Sequence, residues 1–144
     1  MLLPQRSLDK LAKVHPDLRM VILAAAVDTP LQFIVTEGMR SYERQLELFR
    51  GKKSRTMNSR HLTGHAVDIA VWEDMDEDKV VGVNELSWKF SKYAEIAEHV
   101  KAVAHELGVE IIWGGDFRNF KDGPHFELSH AKYPKEEPWP GQTP

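Results

Sequence analysis

The 144-residue sequence has no cysteine, which excludes disulfide staples and thiolate-ligated zinc together. Any metal centre here has to be assembled from histidine, aspartate and glutamate. No apolar run approaches the ~20 residues that a bilayer-spanning helix needs, so stable membrane insertion is not expected. The opening stretch, MLLPQRSLDKLAKVHPDLRM, scatters acids and bases and lacks an apolar segment followed by a small-residue cleavage site, so no signal peptide is expected. A basic excess is missing as well. The formal net charge is -3, which argues against a nucleic-acid partner, because backbone phosphates reward a basic surface.

What remains is the profile of one compact globular domain, since a chain this long can bury a real core but hardly two. Helical spacing predicts helices over Leu8–Val14 and Pro16–Val27, the second opened by a proline in its first turn. Gln32–Thr36 reads as a strand. Tyr42–Arg50 reads as a helix capped by Ser41 and stopped by Gly51, and Lys52–Arg60 as a polar, basic loop. His65–Trp72 reads as a second strand, followed by an acidic loop and an amphipathic helix from about Ser87 to Leu107 that stops at Gly108. Short strands fit Val109–Trp113 and His125–Leu128. The expected fold is α+β, with helices packed on one side of a small, mostly antiparallel sheet. The domain is expected to span residues 1–131. Residues 132–144, with four prolines in thirteen residues, are expected to form an extended or disordered tail.

The segment Ser59-Arg60-His61-Leu62-Thr63-Gly64-His65-Ala66-Val67-Asp68 carries the chemistry. Side chains alternate faces along a strand. Ala66, Asp68 and Ala70 therefore share one face, and Val67, Ile69 and Val71 form an apolar face for the core. Asp68 sits between two small residues, with room above it. Gly64 allows the tight turn that would fold His61 back over it. His65 falls on the Val67 face and is not counted as a ligand. Taken alone, this segment describes equally well a solvent-facing strand aspartate and a loop histidine. In Asp122-Gly123-Pro124-His125-Phe126-Glu127-Leu128, Phe126 and Leu128 form the apolar set while His125 and Glu127 point the other way. Two histidines and a carboxylate suit a catalytic zinc, which keeps one position open. A further carboxylate must take and return a proton, and Asp122, three residues before His125, is the natural candidate.

The pattern S-x-H-x-x-G-x-A-x-D over Ser59–Asp68, with an acid three residues before a final histidine, resembles the zinc D-Ala-D-Ala peptidases (VanX/VanY-like), which share a fold with the Hedgehog signalling domain. Glu37-Gly38-Met39-Arg40-Ser41 followed by Gln45, and Trp113-Gly114-Gly115-Asp116-Phe117, are similar to the phage endolysins of the L-alanyl-D-glutamate peptidase type. The resemblance runs in order from about Phe33 to Leu128. It implies His61, Asp68 and His125 as ligands of one zinc ion, Asp122 as general base and acid, and Arg40 as the group that stabilises the oxyanion or anchors the substrate carbonyl. It also implies that Ser59 binds substrate or orients His61, and that Asp116 and Glu127 shape loops or brace the ligands. The implied reaction is hydrolysis of the L-Ala-D-Glu bond of peptidoglycan by a monomer. Such an enzyme would be made in the host cytoplasm and reach the wall after holin-type release. The competing readings are a D-Ala-D-Ala carboxypeptidase or dipeptidase, and a metal-containing binding module that has lost catalysis.

Other signals are weaker. Asp74, Asp76, Asp78 and Glu85 fall at positions one, three, five and twelve of a calcium loop, but position six is Lys79 where a glycine is usual and a strand precedes the loop. Lys52, Lys53 and Arg55 could meet an anionic substrate or form a solvated loop. Trp88, Phe90, Tyr93 and Ile96 read as core or half-buried packing. His15, His99, His105 and His130 lack ligand-like partners at useful spacing, and Trp139 has no assigned role.

Overall fold

The structure, a computed structural model, describes residues 1–54 and 56–135, apart from the side chain of Val83. Arg55, Trp139 and most of the expected tail lie outside the described residues. Four helices flank one antiparallel sheet. The chain order is α1 (Gln5–Leu11), α2 (Pro16–Val27), β1 (Phe33–Glu37), α3 (Tyr42–Arg50), β2 (Ala66–Trp72), β3 (Leu86–Ser87), α4 (Phe90–Leu107), β4 (Ile111–Trp113) and β5 (His125–Leu128). The sheet order is β1-β2-β5-β4, with β3 paired to the far end of β2.

Strand alternation sorts the central strand as expected. Val67, Ile69 and Val71 are buried in one cluster with Leu18, Val21, Ile22 and Ala25 of α2 and Ile96, Ala97, Val100 and Ala104 of α4. Each such aliphatic side chain taken out of water contributes ~1.5–3 kcal/mol. This layer is what holds the opposite face of β2, the one bearing Asp68, in a fixed place.

Helix α1 starts and ends three residues earlier than its apolar spacing suggests. Pro16 opens α2 and drives the residue before it out of the helical region. His15 accordingly has ψ 134 and Val14 closes a turn onto Leu11. Helix α3 matches its expected bounds, with Ser41 Oγ accepting from Arg44 N. Helix α4 begins at Phe90 because Leu86–Ser87 pairs with Val71 and Trp72 instead. Tyr93 fixes that junction by donating its Oη hydrogen to Ser87 O and accepting from Val71 N. At the same junction Trp88 and Phe90 stay 61% and 45% exposed, so only Tyr93 and Ile96 of the expected packing group are buried. Gly108, at φ 72, ends α4 in the left-handed region. Beyond residue 131, Tyr133 is docked on the domain, its Oη donating to Asp17.

Candidate metal centre

A single row of side chains crosses the sheet. In register, Asp68 of β2 stands opposite His125 of β5 on one side and Glu37 of β1 on the other. Residues directly opposite in an antiparallel pair share a face, so these three are gathered by strand pairing alone. Glu37 joins the row through an irregularity between Val35 and Glu37, where β1 spends two residues against one of β2. Without that bulge Glu37 would fall on the core face with Val35.

His61 arrives from a different direction. Ser59 Oγ accepts from His61 N and caps a short 3₁₀ turn, and Gly64 closes it at φ 74. The turn folds His61 onto β1: His61 Nδ1 lies 2.9 Å from Gly38 O, and Arg40 N donates to His61 O at 2.8 Å. A carbonyl can only accept, so Nδ1 carries the hydrogen and Nε2 presents a lone pair. That Nε2 is buried, makes no hydrogen bond, and faces Asp68 Oδ1 at 3.2 Å. Gly38 is needed for this approach, because a Cβ there would sit 2.3 Å from Lys10 O.

His125 offers the matching nitrogen. Its Nε2 lies 2.8 Å from Glu127 Oε1, and its Nδ1 lies 3.1 Å from Asp68 Oδ1. Ligand atoms of His61, Asp68 and His125 all fall within 4.8 Å of one another. The orphaned Nε2 of His61 is the observation that favours a cation here, since a buried acceptor without a partner is costly. Two imidazole nitrogens and one carboxylate are also the donor set of catalytic zinc sites.

Electrostatics reflect the crowding. Burial would raise the Asp68 carboxyl, but the hydrogen bond from His125 and the imidazoles packed around it hold it far below the usual range. Burial would lower His125, yet Asp68 and Glu127 on its two nitrogens push it up to about 10. Burial also works against the Glu127 charge, but His125 beside it brings its pKa down overall. Asp122 moves the opposite way: burial and then the Asp68 charge raise it.

These groups line one cleft of about 930 Å³, together with Arg40, Ser59 and Asp122. Arg40 is nearly buried and rigidly held. Glu37 takes its Nε and Nη2 hydrogens at 2.7 and 2.6 Å, and Gln45 Oε1 takes one from Nη1 at 2.7 Å. Its Nη2 also lies 3.8 Å from Asp68 Oδ2.

A family model for phage L-alanyl-D-glutamate peptidases matches residues 1–129. The chain belongs to that family. The peptidoglycan L-alanyl-D-glutamate endopeptidase CwlK of Bacillus subtilis (strain 168) is 29% identical over 127 residues, covering 80% of this chain and 73% of that protein. The L-alanyl-D-glutamate peptidase of Listeria phage A118 is 29% identical over 103 residues; the match covers 72% of this chain and 32% of that longer relative. Among solved structures, the L-Ala D-Glu endopeptidase ChiX of Serratia marcescens aligns with a TM-score of 0.79 at 41% identity, covering 92% of this chain and 94% of that one.

Other candidates in this family member fall in different places. Asp116 does not line the cleft; it is exposed and pairs with Lys101 at 2.7 Å. His65 is buried on the core side against Thr63 Oγ1 at 2.6 Å, and its burial drops its pKa to about 4. His99 contacts Ala25 O, while His130 reaches Glu127 Oε2 at 3.0 Å from the cleft rim. Oxygens of Asp74, Asp76, Asp78 and Glu85 also converge within 4.8 Å, and Lys79 takes the left-handed φ of 62 that position six of a calcium loop needs.

Three contributors stand in the motifs quoted above but received no site role from the sequence: Glu37, Gln45 and Gly114. Gln45 is fully buried and joins Arg40 to the cleft wall, its Nε2 donating to Ser54 Oγ and Thr56 O. Gly114 accepts from Asp122 N, and a Cβ on it would lie 2.3 Å from Asp122 O and 2.9 Å from His125 Cβ.

Proposed function

We propose that this peptidase cuts the L-Ala-D-Glu amide of peptidoglycan stem peptides with one zinc ion held by His61 Nε2, His125 Nδ1 and an Asp68 oxygen. The convergence of those three ligand atoms, one of them a buried nitrogen without a partner, carries the reading. Zinc so held would polarise the amide carbonyl and lower the pKa of water toward about 7.

The chain's own groups supply the rest. Asp122 lines the same cleft, and its raised proton affinity suits it to take a proton from the attacking water and pass it to the leaving nitrogen. Arg40 has five N–H groups, of which Glu37 and Gln45 hold three. The remainder can meet the carbonyl oxygen as charge develops on it. Glu127 fixes the His125 ring, and Ser59 fixes the turn bearing His61.

The experiment is digestion of diaminopimelate-type peptidoglycan with and without a zinc chelator, with products read by mass spectrometry. Chelator-sensitive release of peptides beginning at D-Glu is the expected result. Release of D-Ala alone would move the protein to the carboxypeptidase reaction, and no cleavage by the zinc-loaded protein would leave a binding module. We assign the enzyme to host lysis as a monomer, acting on the wall after holin-type release; lysis on co-expression with a holin and not without one is the test. The acidic loop Asp74, Asp76, Asp78 and Glu85 offers the all-oxygen donors of a calcium site. A calcium-dependent rise in melting temperature, lost in Asp76→Asn, would support that role, and no rise would leave it a solvated loop.

A further inference from the structure

The cleft has more positive charge at its mouth than its own acids use. Within the site Asp68 faces His125, Glu37 is paired with Arg40, and Glu127 lies between His125 and Arg60, while Asp122 is the one further acid among the described residues that lines the cleft. Elsewhere Arg44, Lys92 and Lys101 pair with Glu47, Glu73 and Asp116. Lys52, Lys53 and Arg118 line the cleft, are exposed, and have no ion pair with any described carboxylate. Three exposed cations without such an ion pair thus line one cleft in a chain of net charge -3.

The backbone supports a placed role for these side chains. Lys52 sits at φ 59, in the left-handed region, just after the end of α3. Glycine adopts that conformation without cost, whereas a lysine there is strained. The turn is nevertheless tightly tied: Lys52 N donates to Phe49 O, and Lys53 N and Ser54 N both donate to Leu48 O. Gln45 then locks the following residues to Arg40, through Ser54 Oγ and Thr56 O on one side and Arg40 Nη1 on the other. The backbone that bears the two lysines is thus tied through Gln45 to Arg40.

We propose that Lys52, Lys53 and Arg118 form a carboxylate-binding subsite for the leaving side of the substrate, so that cleavage favours stem peptides whose glutamate carries a free carboxylate over those in which it is amidated. This rests on the L-Ala-D-Glu reading of the reaction. The glutamate on the leaving side has two carboxyl groups. One continues the chain; the other, unless amidated, is an anion beside the scissile bond.

The test uses two synthetic stem peptides that differ only in that group, free acid against primary amide, with the zinc-loaded full chain. Wild type is expected to favour the free acid by about tenfold in kcat/KM, mostly through KM, as for a few partly exposed charge contacts. The preference should shrink with added salt. In Lys52→Ala/Lys53→Ala/Arg118→Ala the ratio should collapse toward one, with metal content and melting temperature retained. Lys52→Arg/Lys53→Arg should keep it, which a merely structural role would not require. Equal cleavage of both peptides by wild type, or an undiminished preference in the triple variant, would overturn the subsite. Cleavage of neither peptide would overturn the assignment of the bond, and the subsite with it.

Discussion

His125 stands directly across the sheet from Asp68 and divides its ring between two carboxylates, Nδ1 at 3.1 Å from Asp68 and Nε2 at 2.8 Å from Glu127. Strand geometry makes this possible: His125 and Glu127 are two apart on β5 and so share the cleft face. A histidine whose outer nitrogen is held by a carboxylate is oriented and made a stronger donor at the inner one. Glu127→Gln is therefore expected to weaken zinc binding by about ten- to a hundredfold, read by competition with a chromophoric chelator. Unchanged affinity would show that His125 needs no brace.

Asp122 faces the opposite test. It lines the cleft beside the row but is not among the converging ligand atoms. Asp122→Asn keeps its shape and removes the proposed base, so zinc content and melting temperature should persist. The turnover number should fall by about a hundred- to ten-thousandfold, the usual worth of a positioned acid–base group. His61→Ala and His125→Ala should instead lose zinc as well as activity. Full metal occupancy in either variant would remove that residue from the ligand set.

Much of this site is legible in the chain because it follows from strand parity. Asp68 between Ala66 and Ala70, and His125 with Glu127 against Phe126 and Leu128, need only a period of two. Caps were equally plain at Ser41, Gly64 and Gly108. Glu37 was not, since alternation from Val35 puts it on the core face and only the bulge brings it round. Gln45 belongs to the motif around Arg40, but nothing local reveals its role, since a loop nine to eleven residues on closes over it. The two-residue β3 and the docking of Tyr133 depend likewise on distant partners, Tyr93 Oη to Ser87 O and Tyr133 Oη to Asp17.

The fold should be sensitive to mild acid through His65. Unfolded, this residue titrates near 6.5; burial in the folded protein lowers it to about 4. Between those values the unfolded chain takes up a proton that the folded chain refuses. Stability is therefore whole above pH 6.5 and declines as pH falls toward 4, by up to ~3 kcal/mol. His15, also lowered by burial, acts in the same direction. Urea melts between pH 7 and pH 4.5 should show that slope, and His65→Asn should flatten it even if its baseline stability is lower. An unchanged slope in the variant would assign the acid sensitivity elsewhere.

Gly114 offers a test of how closely the Asp122 loop is positioned. The turn after β4 passes so near that loop that a Cβ on Gly114 would lie 2.3 Å from Asp122 O and 2.9 Å from His125 Cβ. Both neighbours are on or beside the main chain, so neither can swing away like the end of a flexible side chain. Gly114→Ala must therefore push the loop outward, straining the hydrogen bond from Asp122 N to Gly114 O at 2.9 Å. Overpacking of this kind costs ~1–3 kcal/mol, and a misplacement of about 1 Å at a reacting group can cost about a hundredfold in rate. The expected variant folds with a lowered melting temperature, has weaker zinc affinity because His125 is displaced too, and shows a reduced turnover number even at saturating zinc. Wild-type turnover at full metal occupancy would mean that the loop has slack the structure does not show, and that Asp122 does not depend on this contact for its place in the cleft.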